Sequence, residues 1–327
     1  MPLALISQLV QAARAGSYAL GYFESWNLES LQGVLDAAEA TRSPIIIGFN
    51  GDFLSGRARR TEERLQWYAQ LGRVAAETAT VPCGLIFNEC PLDHWVMAAA
   101  TAGFNLVMPA DPSARLEDYT RRVKTITVHA HGCGAAVEAE LGELPCGDSG
   151  QVVANGHLTD PEAAARFVRE TGVDLLAVSV GNVHILVRGQ RALDLGGLQR
   201  IHRRIPEVPL VLHGGTGIDA GSIQQAIGLG VVKVNYGTYL KQRYVTAVRA
   251  ALGKDPANPH ELYGMGGEFD VMVAGRLAVR DAVLERIESL GCCGKASSMN
   301  AEAQRQAEKS PAAVRTISES TGARNGI

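Results

Sequence analysis

The chain has 327 residues, of which 46% are hydrophobic and 20% charged, with a formal net charge of −3; this usage suits a soluble protein with ample core material. Its basic residues are scattered rather than gathered into a stripe and no apolar run reaches about 18 residues, so neither nucleic acid nor a membrane is an expected partner. The N-terminus has no signal-peptide pattern and the six cysteines form no metal-type C-x-x-C pair, so a cytoplasmic protein with free thiols is expected.

Eight short β-rich apolar runs follow one another, each leading into a longer segment of helical spacing. In chain order they are Tyr18–Phe23, Pro44–Asn50, Val81–Asn88, Phe104–Ala110, Ala135–Leu141, Leu175–Gly181, Pro209–Gly214 and Val231–Asn235. Eight parallel strands separated by helices predict an α/β fold, a (β/α)₈ TIM barrel, in preference to a doubly wound sheet. Between the fifth and sixth runs, Thr159-Asp160-Pro161-Glu162 supplies a cap, a first-turn Pro and an acidic residue for a helix that Gly172 ends. Beyond about residue 256 the alternation stops. One amphipathic segment, Ala278–Ser289, is expected as a C-terminal helix, which makes 1–296 one barrel domain with its helix and leaves 297–327 as a flexible tail or a helix given to a partner subunit.

In such barrels the reactive groups stand at the C-terminal ends of the strands. The polar residues at those ends are Glu24, Asn50, Asn88, Glu89, Glu140, His184, His213 and Asn235. Two histidines and a nearby carboxylate form a common catalytic metal set, so His184 and His213 are candidate ligands with Glu89 or Glu140 as the third. The turns His213-Gly-Gly-Thr-Gly217 and Asn235-Tyr-Gly-Thr238 each lead from a strand into a helix, where glycines let backbone N–H groups approach phosphate oxygens. Arg188 offers a further cation for the same phosphate, and Asn50 at the end of the second strand is a candidate substrate-binding group.

The segments Thr171-Gly-Val-Asp-Leu-Leu-Ala-Val-Ser-Val-Gly-Asn-Val-His184, Leu212-His-Gly-Gly-Thr-Gly-Ile218 and Gly230-Val-Val-Lys-Val-Asn-Tyr-Gly-Thr238 resemble the class II, metal-dependent ketose-bisphosphate aldolases, a group that includes fructose- and tagatose-bisphosphate enzymes. The resemblance spans roughly residues 5 to 295. It implies that His184 and His213 ligate a divalent ion such as Zn²⁺, that Gly214, Gly215, Thr216, Gly237 and Thr238 cradle a phosphate, that Asn235 touches the sugar, and that the protein is a homodimer or homotetramer.

The chain departs from the family after the third strand, where the resemblance leads one to expect His-x-Asp-His and this chain has Ile86-Phe87-Asn88-Glu89. An amide takes no proton at neutral pH, so Asn88 becomes an orienting hydrogen-bond group and Glu89 the metal ligand in place of a His. Glu24 stands where similar enzymes carry Asn and is a candidate replacement base; Asp148 falls where they carry a loop acid. Asp93 and His94 look like a displaced Asp-His pair but belong to the helix after strand three. The expected function is a metal-dependent lyase that breaks or forms a C–C bond in a phosphorylated ketose or keto sugar acid through a metal-stabilised enediolate. The alternatives are an epimerase, isomerase or decarboxylase on a similar substrate, and a non-catalytic sugar-phosphate-binding protein.

Overall fold

Uninterrupted apolar strands are stable only when covered on both faces, and a closed parallel barrel ringed by helices provides that cover. The computed structural model describes residues 3–142, 144, 157–183, 189, 191–254 and 256–297. Its strands are β1 (Leu20–Ser25), β2 (Ile45–Asn50), β3 (Cys83–Cys90), β4 (Leu106–Pro109), β5 (Ala136–Leu141), β6 (Leu175–Val178), β7 (Leu210–Leu212) and β8 (Val231–Tyr236). They pair in chain order and close into a barrel, with β8 parallel to β1. Each lies within one of the predicted runs or overruns its end by one or two residues, the expected scale of boundary error.

The short helix Ile6–Ala15 packs Ile6 and Leu9 against the start of β3, where Gly84 leaves room for both side chains. The helix Pro161–Thr171 starts on the Asp160 carboxylate, which accepts from the Ala163 N–H, carries its Pro in the first turn and ends on Gly172 in the left-handed conformation. These are the signals its sequence displays.

The C-terminal helix differs from expectation in its start. It runs Val271–Ile287, capped by Asp270, and lies between the helices Leu28–Thr41 and Thr238–Leu252. Gly33 and Gly275 permit this close packing: a Cβ on Gly33 would stand 2.4 Å from the Arg276 carbonyl oxygen, and one on Gly275 would stand 2.3 Å from the Tyr244 ring. A bidentate pair between Arg276 and Asp36, at 2.6 and 2.7 Å, fastens two of the three helices. The proposed tail beyond Ser297 lies outside the described residues.

The cysteine expectation holds among the described residues, where Cys83, Cys90, Cys133, Cys292 and Cys293 are free. Burial pushes the Cys83 and Cys292 thiols up to about 12, so both are inert packing groups. Among the described residues no helix is long and apolar enough to cross a membrane.

Candidate metal centre and substrate mouth

The C-terminal end of β3 is irregular. Its register with β4 shifts between Phe87 and Cys90, and Glu89 takes a positive φ of 53°. A bulge of this kind re-aims a side chain, and a carboxylate residue held in left-handed backbone is an energetic cost that a functional position carries. Here it turns the Glu89 carboxylate toward β5 and β7.

Three donors converge there. His213 Nδ1 lies 2.9 Å from Glu89 Oε1 and 3.1 Å from Glu140 Oε2. The three ligand atoms fall within 4.8 Å of one another, a separation one cation can span. The side chains come from the ends of β3, β5 and β7, so the barrel itself fixes their spacing.

Residues around this triad aim it. Asn50 Nδ2 donates to Glu89 Oε2 at 2.8 Å while Asn50 Oδ1 accepts from the Phe53 N–H, so Asn50 supports a ligand and caps the helix Gly51–Ser55. Glu138 Oε1 lies 2.9 Å from His213 Nε2, which leaves Nδ1 directed at the carboxylates. Asn182, fully buried, donates to the His213 carbonyl at 3.1 Å and ties the loop after β6 to β7.

Electrostatics favour a cation at this point. Burial alone would push the His213 imidazolium down, but Glu140, Glu138 and Glu89 outweigh it and hold His213 well above the usual imidazole range. A divalent ion between the donors answers the same demand for positive charge, so the residues present fit a metal. The neighbouring charges are already matched: Lys233 Nζ sits 2.8 Å from Glu138 Oε2 and 2.7 Å from Asn235 Oδ1, all three buried. Burial pushes Glu138 up, yet Lys233 and then His213 bring it below the ordinary carboxylate range.

The two glycine turns form one wall of the mouth. Gly214 has φ 66°, and a Cβ there would lie 2.1 Å from the Val183 carbonyl oxygen, so no other residue fits without moving backbone. The turn continues as the 3₁₀ segment Gly215–Gly217, and Thr216 Oγ1 accepts from the Tyr239 N–H at 3.3 Å, which joins it to the turn after β8. There the helix Thr238–Leu252 begins on Gly237 with no side-chain cap. Apart from the Tyr239 N–H, which is taken by Thr216, its first turn and the positive end of its dipole therefore face an anion at the mouth.

Glu24 reaches the same turn from β1. Its Oε1 accepts from Lys241 Nζ at 2.5 Å, and its Oε2 lies 2.4 Å from where a Gly237 Cβ would stand. Lys241 also covers the Phe53 ring at 4.0 Å. Glu24 is thus ion-paired beside the cradle rather than open.

Of the residues singled out from sequence, the barrel end brings together Glu24, Asn50, Asn88, Glu89, Glu140, His213, Gly214, Gly215, Thr216, Asn235, Gly237 and Thr238. His184, Arg188 and Asp148 lie outside the described residues. Asp93 does not join the site: it pairs with Arg122 at 2.7 Å, and His94 is exposed. Glu138, Lys233, Lys241 and Asn182 were not anticipated. The alternations Glu138-Ala-Glu140 and Lys233-Val-Asn235 in otherwise apolar strands are the signal that marks the first two, because a charge alternating with apolar residues in a barrel strand points inward.

Comparison with known proteins follows the same lines. The family model for class-II fructose-bisphosphate aldolase matches residues 5–295. The fructose-bisphosphate aldolase of Geobacillus stearothermophilus is 33% identical over 302 residues, covering 91% of this chain and all of that protein. The crystal structure of the YdjI aldolase from Escherichia coli K12 superposes with a TM-score of 0.74 at 32% identity, over 90% of this chain and 99% of that one. A crystal structure of a putative fructose-1,6-biphosphate aldolase from Coccidioides immitis gives 0.74 at 27% identity, over 90% and 98%.

Proposed function

We propose, from the premise that this chain belongs to the class-II fructose-bisphosphate aldolase family and is a metal-dependent, aldolase-type lyase, that it breaks or forms a C–C bond in a phosphorylated ketose or keto sugar acid. The observation that carries this reading is the convergence of His213, Glu89 and Glu140 beside two glycine turns. Glu89 stands in for a histidine, and a histidine–carboxylate set suits Zn²⁺, with His184 as the further ligand. When bound, the ion polarises the ketone carbonyl and offsets negative charge as the bond breaks.

The remaining work falls to the protein's own side chains. Gly214, Gly215, Thr216, Gly237 and Thr238 supply N–H and hydroxyl donors to the phosphate, with Arg188 as a further cation. Asn88 Oδ1, buried and without a partner among the described residues, accepts a substrate hydroxyl. Asn235 Nδ2, likewise unpartnered, donates to the sugar. Proton transfer belongs to Glu24 or Asp148, and the Lys241 ammonium holds the Glu24 carboxylate in place beside the cradle. The extra carboxylate Glu24 favours a second reading, in which the same site breaks a C–H bond as an epimerase or isomerase. We assign the protein to the cytoplasm, as a homodimer or homotetramer whose barrel domain ends near residue 296.

Zinc-loaded protein assayed with ketose phosphates, its products identified by mass spectrometry, separates these readings. Cleavage products, lost together with bound zinc in His213→Ala, are expected. Undiminished turnover in a metal-free His213→Ala protein would falsify the metal chemistry, and a stereoisomer as sole product would favour the second reading.

A further inference from the structure

Buried polar atoms toward the barrel mouth with no hydrogen-bond partner among the described residues include Asn88 Oδ1, Asn235 Nδ2 and the Tyr22 hydroxyl. The first two have roles above. Tyr22 has none, although it is only 2% exposed. It occupies the inward position of β1 next below Glu24 and is in register with Asn235 on β8. Lys233 Nζ lies 5.2 Å from its ring centroid, but that ammonium is engaged by Glu138 and Asn235.

A strand position that only fills a core is served by Phe. The hydroxyl adds a donor and an acceptor whose burial without a partner is destabilising, and natural cores seldom keep such a group idle. Burial, with Glu24, Glu89 and Glu138 behind it, pushes the phenol well above its ordinary range, so the group is a neutral hydroxyl at any working pH. None of those carboxylates accepts its proton.

We infer that Tyr22 is a substrate-binding residue whose hydroxyl, with Asn88 Oδ1 and Asn235 Nδ2, is completed by the adjacent hydroxyls of an open-chain polyol. One of the three groups accepts, one donates and Tyr22 does either, and successive carbinol carbons can meet all of them. A site built to bond hydroxyls discriminates sharply against a ligand that lacks them. The inference rests on the ketose-phosphate reading of the mouth and narrows it to substrates hydroxylated beyond the carbonyl, with deoxy analogues rejected.

The test is Tyr22→Phe in the full-length, zinc-loaded protein, compared with wild type on a hydroxylated ketose phosphate and its deoxy analogue. The variant should melt at the same temperature or higher, because an idle hydroxyl is gone. Its kcat/KM on the hydroxylated substrate should fall about 10-fold or more, and its preference over the deoxy analogue should shrink. Wild-type kcat/KM and preference in the variant overturn the inference, as does a lowered melting temperature with unchanged kcat/KM, which marks packing alone. Should wild type turn over neither compound, the lyase reading fails by itself and Tyr22 is judged by calorimetry with the same ketose phosphate. Weaker binding by Tyr22→Phe then sustains the inference, and equal affinity, or no binding to wild type, overturns it.

Discussion

Around His213 the side chains answer one another's charge, and each answer can be measured. Glu138 has its carboxyl held below the ordinary range because Lys233 and His213 outweigh its burial. A depressed folded-state pKa contributes stability that is complete above the unfolded value, about 4.3, and is lost as pH falls through the folded one. Glu138→Gln should therefore lower the thermal midpoint at pH 7 by leaving Lys233 uncompensated, at a cost of about 3–5 kcal/mol. The gap from wild type should close on acidification below about pH 4; a gap that stays constant down to pH 3 would contradict an ionised Glu138. Asn88 behaves oppositely, since its Oδ1 has no hydrogen-bond partner among the described residues. Asn88→Ala should melt close to wild type yet lose on the order of 10²-fold in kcat, the scale of removing one group that bonds the reacting substrate; a kcat within twofold of wild type would release Asn88 from the chemistry. His213, Glu89 and Glu140 were legible in the sequence because strand ends announce themselves. Asn50 was read as a substrate group since nothing in one dimension places it beside Glu89. Tyr22 passed unnoticed because an aromatic residue in a strand reads as core.

Among the elements, the most exacting contact is the crossing of the helices Leu28–Thr41 and Val271–Ile287 at Gly33. A side chain there meets the Arg276 carbonyl, which is backbone and cannot swing aside. Gly33→Val should destabilise by roughly 1–3 kcal/mol, read as a lower urea midpoint at unchanged m; an unaltered midpoint would mean the helices separate at no cost. The eight strands were readable because short apolar runs, regularly interrupted, leave few alternatives. The start of the last helix was not: Val271-Met-Val-Ala-Gly275 is apolar on all sides and contains a glycine, so it lacks the one-faced period that marks a helix. Its true beginning is set by Asp270, whose carboxylate accepts from the N–H groups of Met272, Gly264 and Gly266.

For the molecule as a whole, binding an ion at the mouth and keeping the barrel closed are coupled. Chelation should abolish turnover and lower the thermal midpoint, and zinc at 100 times its dissociation constant should restore about 2.7 kcal/mol; an unmoved midpoint would mean that the ion does not bind the folded state. The link runs through Glu138, which reaches from β5 to His213 beyond β7 and to Lys233 on β8. It acts as an internal tie-rod across the cross-section of the cylinder. Strands braced in this way have no independent route to opening, so the amide hydrogens of β5 and β8 should exchange with solvent together, in one event whose frequency drops when the ion arrives.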